Sequence, residues 1–187
     1  MRLSERRIPA LTPEQWNEEA KALMQPFVET GRDYNVFRTL MNHPPLAKRW
    51  LVFANHILGK STLGEREREL VIMRIGHLCR SGYEWNKHAQ ISRFLGMSEA
   101  EIDSSVTGPD TEGLSELDRL LLKATDELHG DAFISDTTWN GLAGLLSREQ
   151  MMDLVFTVGQ YNLVSMALNS FGVQQDEAPA QGDSSSA

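Results

Sequence analysis

Cys79-Arg80-Ser81-Gly82-Tyr83-Glu84-Trp85-Asn86-Lys87-His88-Ala89 reads as the end of one helix, a tight turn and the start of the next. A serine hydroxyl can accept a bond from a free backbone N–H in a helix's first turn. An acid three residues later can bond back, so Ser81 with Glu84 marks a helix opening. The helix before it runs from about Leu63 to Arg80 and the one after it from about Tyr83 to Gly96, which makes a helical hairpin. Within the second helix Glu84 and His88 stand four apart, so both side chains reach one face. That spacing suits a proton-transfer pair, and it equally suits a solvated surface pair.

The same punctuation recurs along the chain. Thr12-Pro13-Glu14-Gln15 is expected to open the first helix, with Pro13 where a missing N–H costs nothing. Thr62 with Glu65, Ser98 with Glu101, Ser115 with Asp118 and Ser147 with Gln150 mark further starts. Between them the apolar residues keep a helical period, as in Leu117, Leu120, Leu121, Ala124 and Leu128, and no segment alternates as a strand would. His43-Pro44-Pro45 divides a short helix near Asn35 to Met41 from a longer one reaching about Leu58. The last helix should span about Arg148 to Phe171 and stop near Gly172. These signals predict an all-α fold, read as one domain over residues 1–173 with an N-terminal extension to about residue 45. Residues 174–187 are polar and apolar-poor and read as a flexible tail.

A helix-turn-helix unit repeats at an offset of about 50 residues, from Leu63 to Ile102 and again from Leu114 to Met151. Where the first unit has His88 the second has Thr137, beside Thr138 and Trp139. A need shared by both units would place similar groups in both, so the asymmetry favours a site in the first.

Of 187 residues, 41% are hydrophobic and 24% charged, the balance of a soluble globular protein. A net charge of -8 argues against a nucleic-acid partner, because Arg66, Arg68, Arg74 and Arg80 are interrupted by Glu65, Glu67 and Glu69. The single cysteine, Cys79, permits no intrachain disulfide. The N-terminal residues lack a secretory apolar stretch and no apolar run approaches membrane-spanning length, so a cytoplasmic location without a membrane partner is expected. His43, His56, His77 and His129 lack metal-ligand spacing, and no metal is assigned.

Several residues carry two readings. Glu84 can close the capping box of Ser81 or serve His88. His88, on or beside the face that carries Trp85, Ile91 and Leu95, is either a core histidine bonded to a carbonyl or an acid–base group. Glu69 is an acid in an alternating surface run unless packing across the hairpin brings it to the pair. Tyr83 and Trp85 suit walls, Tyr161 a pocket or a buried bond, and Cys79 a small buried position.

From Glu69 through His88 the sequence resembles the carboxymuconolactone decarboxylase family, whose superfamily includes the alkylhydroperoxidase D-like proteins. The likeness extends from Glu65-Arg66-Glu67-Arg68-Glu69-Leu70 through Tyr83-Glu84-Trp85-Asn86-Lys87-His88 and Gly96-Met97-Ser98-Glu99-Ala100-Glu101-Ile102 to Asp153-Leu154-Val155-Phe156-Thr157-Val158-Gly159-Gln160-Tyr161, within residues 35–173. It implies an alkylhydroperoxidase D-like helical bundle, assembled as a homo-oligomer, commonly a trimer or hexamer. The peroxidase branch has Cys-x-x-Cys-x-x-x-His. Here the histidine aligns with His88, while Ser81 and Glu84 occupy the cysteine positions, so dithiol chemistry is absent and Cys79 is not the family cysteine.

The decarboxylase branch needs no cysteine. Its resemblance implies cofactor-independent acid–base chemistry on a small cyclic lactone or carboxylic acid, with His88, Glu84 and Glu69 as the catalytic set. Tyr83, Trp85, Tyr161 and Arg74 are the expected substrate contacts, with Arg74 or Lys87 supplying a cation for an anionic substrate. The rival expectations are a non-catalytic helical oligomer that binds a ligand or partner, and a peroxide-reducing protein using Cys79.

Overall fold

The computed structural model describes residues 2–176, and among them every regular element is helical. The α-helices are α1 (Glu18–Glu29), α2 (Asn35–Leu40), α3 (Pro44–Gly59), α4 (Glu65–Leu78), α5 (Gly82–Phe94), α6 (Glu99–Thr107), α7 (Glu116–Asp131), α8 (Asp136–Ala143) and α9 (Arg148–Phe171). Local chemistry accounts for most of the starts. Ser98 and Ser147 close full capping boxes with Glu101 and Gln150, and Ser115 accepts from the Asp118 amide. Ser135 caps α8 in the same way, a start that the acid-at-the-third-place pattern misses because Thr138 stands there. Two signals outside the α4–α5 turn act differently from expectation. The Thr12 box opens only a single 3-10 turn, Pro13–Gln15, and the first α-helix begins after Asn17, whose side chain accepts from the Ala20 amide. Thr62 bonds Asp153 on α9, leaving Gly64 to precede α4.

Helix α4 is the post around which the bundle is built. Every residue from Arg68 to Gly76 is buried, because α5, α6, α7 and α9 all pack on it. A helix enclosed on all sides must be apolar all round. Leu70, Val71, Ile72, Met73 and Ile75 meet that demand, and the polar residues among them need ionic partners. Arg74 finds one in Asp126 of α7, at 2.6 and 2.9 Å, and it also donates to the carbonyls of Ser105 and Val106. Gly108, at φ 99°, ends α6 against this guanidinium, where a β-carbon would lie 2.7 Å from Nη2. The repeated unit is visible as α4–α5 followed by the start of α6, and α7–α8 followed by the start of α9.

Of four apolar clusters among the described residues, two flank the site. The larger joins α4, α7, α8 and α9 through residues such as Ile72, Leu121, Leu142 and Leu154. The other, Trp16, Ala20, Met24, Met41 and Ala47, belongs to the segment before residue 48. Residues 3–8 meet residues 171–174. Arg7 and Ile8 amides donate to the Phe171 carbonyl, and Gln174 donates to the Leu3 carbonyl. Residues 174–176, expected to be part of a free tail, are held: Asn35 donates to the carbonyls of Gln174 and Gln175 and its amide donates to Asp176. The rest of that expected tail lies outside the described residues. No described helix is long and apolar enough to cross a membrane.

Gly172 closes α9 at φ 72°, and a β-carbon there would sit 2.6 Å from the Glu5 carbonyl oxygen. Gly172→Ala is therefore expected to cost about 1–3 kcal/mol through left-handed strain and the clash. Thermal unfolding should show a Tm lower by about 2–4 °C for each kcal/mol lost.

Candidate active site

The turn after α4 sets the site. Arg80 adopts φ 53°, an uncommon left-handed conformation for a residue with a side chain, and Ser81 returns its amide to the Gly76 carbonyl at 2.8 Å. The chain reverses there and lays α5 against α4. Ser81 stands at the N-cap but makes no capping bond, and its buried hydroxyl has no partner. The capping-box reading of Glu84 therefore fails, because Glu84 turns inward along α5.

There it meets His88. The His88 ring is held on both nitrogens: Nδ1 lies 2.5 Å from Glu69 Oε2 on α4, and Nε2 lies 3.0 Å from Glu84 Oε1. All three side chains are buried, Glu69 being 1% exposed and Glu84 and His88 each 5%. So Glu69 is no surface acid, and His88 is no core histidine resting on a carbonyl. Burial alone would depress the histidine, but the Glu69 and Glu84 carboxylates outweigh it and raise the ring to about 10. The two acids thus favour the protonated form of the ring. Arg68 Nε approaches Glu69 Oε1 at 3.7 Å, a charge contact without a hydrogen bond. Tyr161 of α9 stands edge-on to the imidazole with ring centroids 5.1 Å apart, and burial together with the two acids keeps its phenol protonated.

A cavity of about 760 Å³ opens on one side of this triad. Glu84, His88, Tyr161 and Gln160 form its polar wall, while Glu69 lies behind it. The opposite wall is aromatic and comes from the N-terminal helices: Phe27 stacks on Phe37 at 4.3 Å, with Tyr34 and Trp50 beside them. Lys87 and Arg32 are the lining cations, Lys87 Nζ lying 3.8 Å from the centre of the Tyr34 ring.

The structure thus brings Glu69, Glu84, His88, Tyr83 and Tyr161 together and leaves two expected contacts elsewhere. Arg74 is committed to Asp126 on the far side of α4. Trp85 packs with Leu70, Met73 and Ile102 and donates Nε1 to Ser105 at 3.0 Å. Ile91, expected on the buried face, instead lines the cavity, as does Phe94, which is 92% exposed. The pattern misses Gln160 and the aromatic wall, since nothing local in Phe27, Tyr34, Phe37 or Trp50 distinguishes a cavity wall from a core. Cys79 does not line the cavity. Its thiol donates to Asn162 at 3.0 Å and burial pushes it up, away from the reactive thiolate.

Residues 44–127 match the carboxymuconolactone decarboxylase family. No curated protein sequence matches the chain. Among solved structures, an alkylhydroperoxidase AhpD core, a peroxidase-related protein from Ralstonia eutropha JMP134, superposes with a TM-score of 0.80 at 15% identity, covering 92% of this chain and 93% of its own. A peroxidase-related protein from Silicibacter sp. TM1040 gives 0.79 at 15% identity, with 93% and 95% covered. A cysteine-to-alanine variant of the debrominase Bmp8, in complex with 2,3,4-tribromopyrrole, gives 0.73 at 13% identity, with 92% and 93% covered. At such identities the likeness establishes the alkylhydroperoxidase D-like helical fold.

Two measurements check the site's electrostatics. Ser81→Ala removes an unpartnered hydroxyl and should leave urea stability unchanged, whereas Ser98→Ala should lose about 1 kcal/mol with its cap. The raised His88 value stabilises the fold fully below its ordinary 6.5 and less as the ring deprotonates. The urea midpoint should accordingly fall as pH climbs from about 6.5 to about 10. A midpoint flat across that window would mean a neutral ring.

Proposed function

Since residues 44–127 match the carboxymuconolactone decarboxylase family, we propose that the chain is a cofactor-independent acid–base enzyme acting on a small cyclic lactone or carboxylic acid. Family membership supports a decarboxylase- or peroxidase-related function in general. The observation that carries the finer reading is that Glu84 and His88, though nearly sealed from solvent, both face an aromatic-walled cavity. A merely structural pair has no need of that outlook. A debrominase of the same fold binds 2,3,4-tribromopyrrole, a small planar ring, and stacked aromatic walls suit such a shape.

The geometry also divides the roles. Both imidazole nitrogens are engaged, so the ring does not reach a substrate directly. Glu84 is the group that exchanges a proton with the reacting carbon, and His88 hands its Nε2 proton to Glu84. Glu69, behind the ring, holds its orientation and its charge. In a decarboxylation the bond to the carboxylate carbon breaks and carbon dioxide leaves. The electron pair passes into the conjugated ring, and the proton from Glu84 returns to carbon, with solvent restoring it through His88. Lys87 and Arg32 attract the anionic substrate, and Tyr83 and Tyr161 shape its seat.

A rival reading, a peroxide-reducing protein, draws on the peroxidase-related neighbours. It would have to rely on Cys79, which stands outside the cavity. Assembly with further copies, expected as a trimer or hexamer, is supported by the exposed apolar side chains Met152, Phe156, Leu163 and Met166 of α9.

Turnover of unsaturated lactone acids by wild type, Glu84→Gln and His88→Ala tests this reading. Each substitution should lower kcat by about 10²–10⁴-fold. Cys79→Ser should keep wild-type turnover. Unchanged turnover in Glu84→Gln would remove the proton-transfer mechanism, and a peroxidase activity abolished by Cys79→Ser would favour the rival.

A further inference from the structure

One carboxylate of this chain is bound the way a ligand would be. Asp176 lies beyond the last helix, yet its Oδ1 accepts from the Asn35 amide at 2.7 Å. The Tyr83 hydroxyl donates to it, 2.9 Å from Oδ2 and 3.1 Å from Oδ1, and Lys87 Nζ reaches Oδ2 at 2.8 Å. Tyr83 in turn accepts from the Val36 amide at 3.4 Å, which aims its single proton at the carboxylate. The donors come from separate parts of the fold, α2 and α5, and converge on one anion. Lys87 and Tyr83 also line the cavity that holds Glu84 and His88.

Charge-assisted donors at these distances form a strong carboxylate site. The site is also obligatory. The Lys87 side chain is 18% exposed and the Tyr83 phenol lies at 3%, so removal of the anion leaves a largely desolvated ammonium facing a phenol with no acceptor. Other neighbours do not replace it: the Tyr34 ring offers Lys87 only its face, and Glu84 is committed to His88.

We propose that Lys87 and Tyr83, with the Asn35 amide, constitute the carboxylate-recognition subsite of the cavity, and that Asp176 is a tethered stand-in which a substrate carboxylate displaces. This deepens the reading of the cavity as a site for cyclic carboxylic acids and rests on it. The tethered group competes at an effective concentration on the order of millimolar, so it sets a threshold that an incoming acid must exceed. Amides and esters of the same ring gain nothing from the exchange, because they do not neutralise Lys87.

Isothermal titration of the full chain with benzoate and with benzamide, its uncharged analogue, separates the possibilities. In Asp176→Ala, benzoate should bind about tenfold or more tightly than in wild type while benzamide stays unchanged. Adding Lys87→Met to Asp176→Ala should abolish the gain. Asp176→Asn keeps an acceptor for Tyr83 but gives up the charge, and it should show a gain of the same sign if the alanine variant does not fold. Equal benzoate affinity in wild type and the folded Asp176 variants would overturn the proposal. A gain shared equally by benzamide would also overturn it, by showing that Asp176 only narrows the cavity. Binding is read without turnover, so a failed decarboxylase assay alongside a Lys87-dependent benzoate gain would reject the reaction and leave the subsite standing.

Discussion

A histidine ring gripped on both nitrogens by buried carboxylates is the interaction on which the rest of this molecule depends. Glu69 on α4 and Glu84 on α5 are both buried, and removing one member of such a buried set costs about 3–5 kcal/mol. The ring answers both acids at once, at 2.5 and 3.0 Å, and so ties two helices together across their packing. That tie fixes how α5 is rotated about its axis. Once His88 must face Glu69, Tyr83 and Lys87 are carried toward α2, and Trp85 is carried to the opposite flank against Ser105.

The same rotation explains why α5 does not bury its most apolar residues. Tyr83, Glu84, His88, Ala89 and Ser92 lie inside, whereas Phe94 and Ile91 look into the cavity or solvent. Burial here follows ionic pairing rather than hydrophobicity. The apolar cost is met from another quarter, by α1, α2 and α3, whose Phe27, Phe37 and Trp50 supply the wall facing the triad. The cavity is thus a seam between an N-terminal apolar cluster and the core around α4, with polar chemistry on one bank and aromatic surface on the other.

Much of the fold is legible in the sequence because helix capping is local. Ser98, Ser115 and Ser147 each announce a start that the structure keeps, and Gly172 announces the end of α9. Two of the failures share one cause. Thr62 is diverted by Asp153 and Ser81 loses its box because His88 claims Glu84, in each case through a tertiary partner that outbids a neighbour in sequence. Glu84 and His88 are readable as a pair from their spacing, whereas Glu69 becomes one of the set only through packing across the hairpin or through the family resemblance. Arg74 and Trp85 sit on the same two helices, but their partners Asp126 and Ser105 lie in later elements, so no local pattern shows which way they point. The aromatic wall is silent for the same reason.

The contact of residues 3–8 with residues 171–174 has a consequence for the order in which this protein can fold as it is made. Helices α1–α3 leave the ribosome before the rest of the bundle, yet several of their neighbours lie after residue 160. Trp50 and Val36 pack with Val164, Leu168 and Val173, the amides of Arg7 and Ile8 wait for Phe171, and Asn35 waits for Gln174 to Asp176. Domains acquire structure from the N-terminus during synthesis, but here α1–α3 can pack only on one another and on α4 until α9 and the residues after it have emerged. The α4–α5 hairpin and its ionic triad can pair while translation continues. The cavity is completed only when α9 brings Gln160, Tyr161 and Val164, so a chain ended before that helix would carry Glu69, Glu84 and His88 without the enclosure that surrounds them.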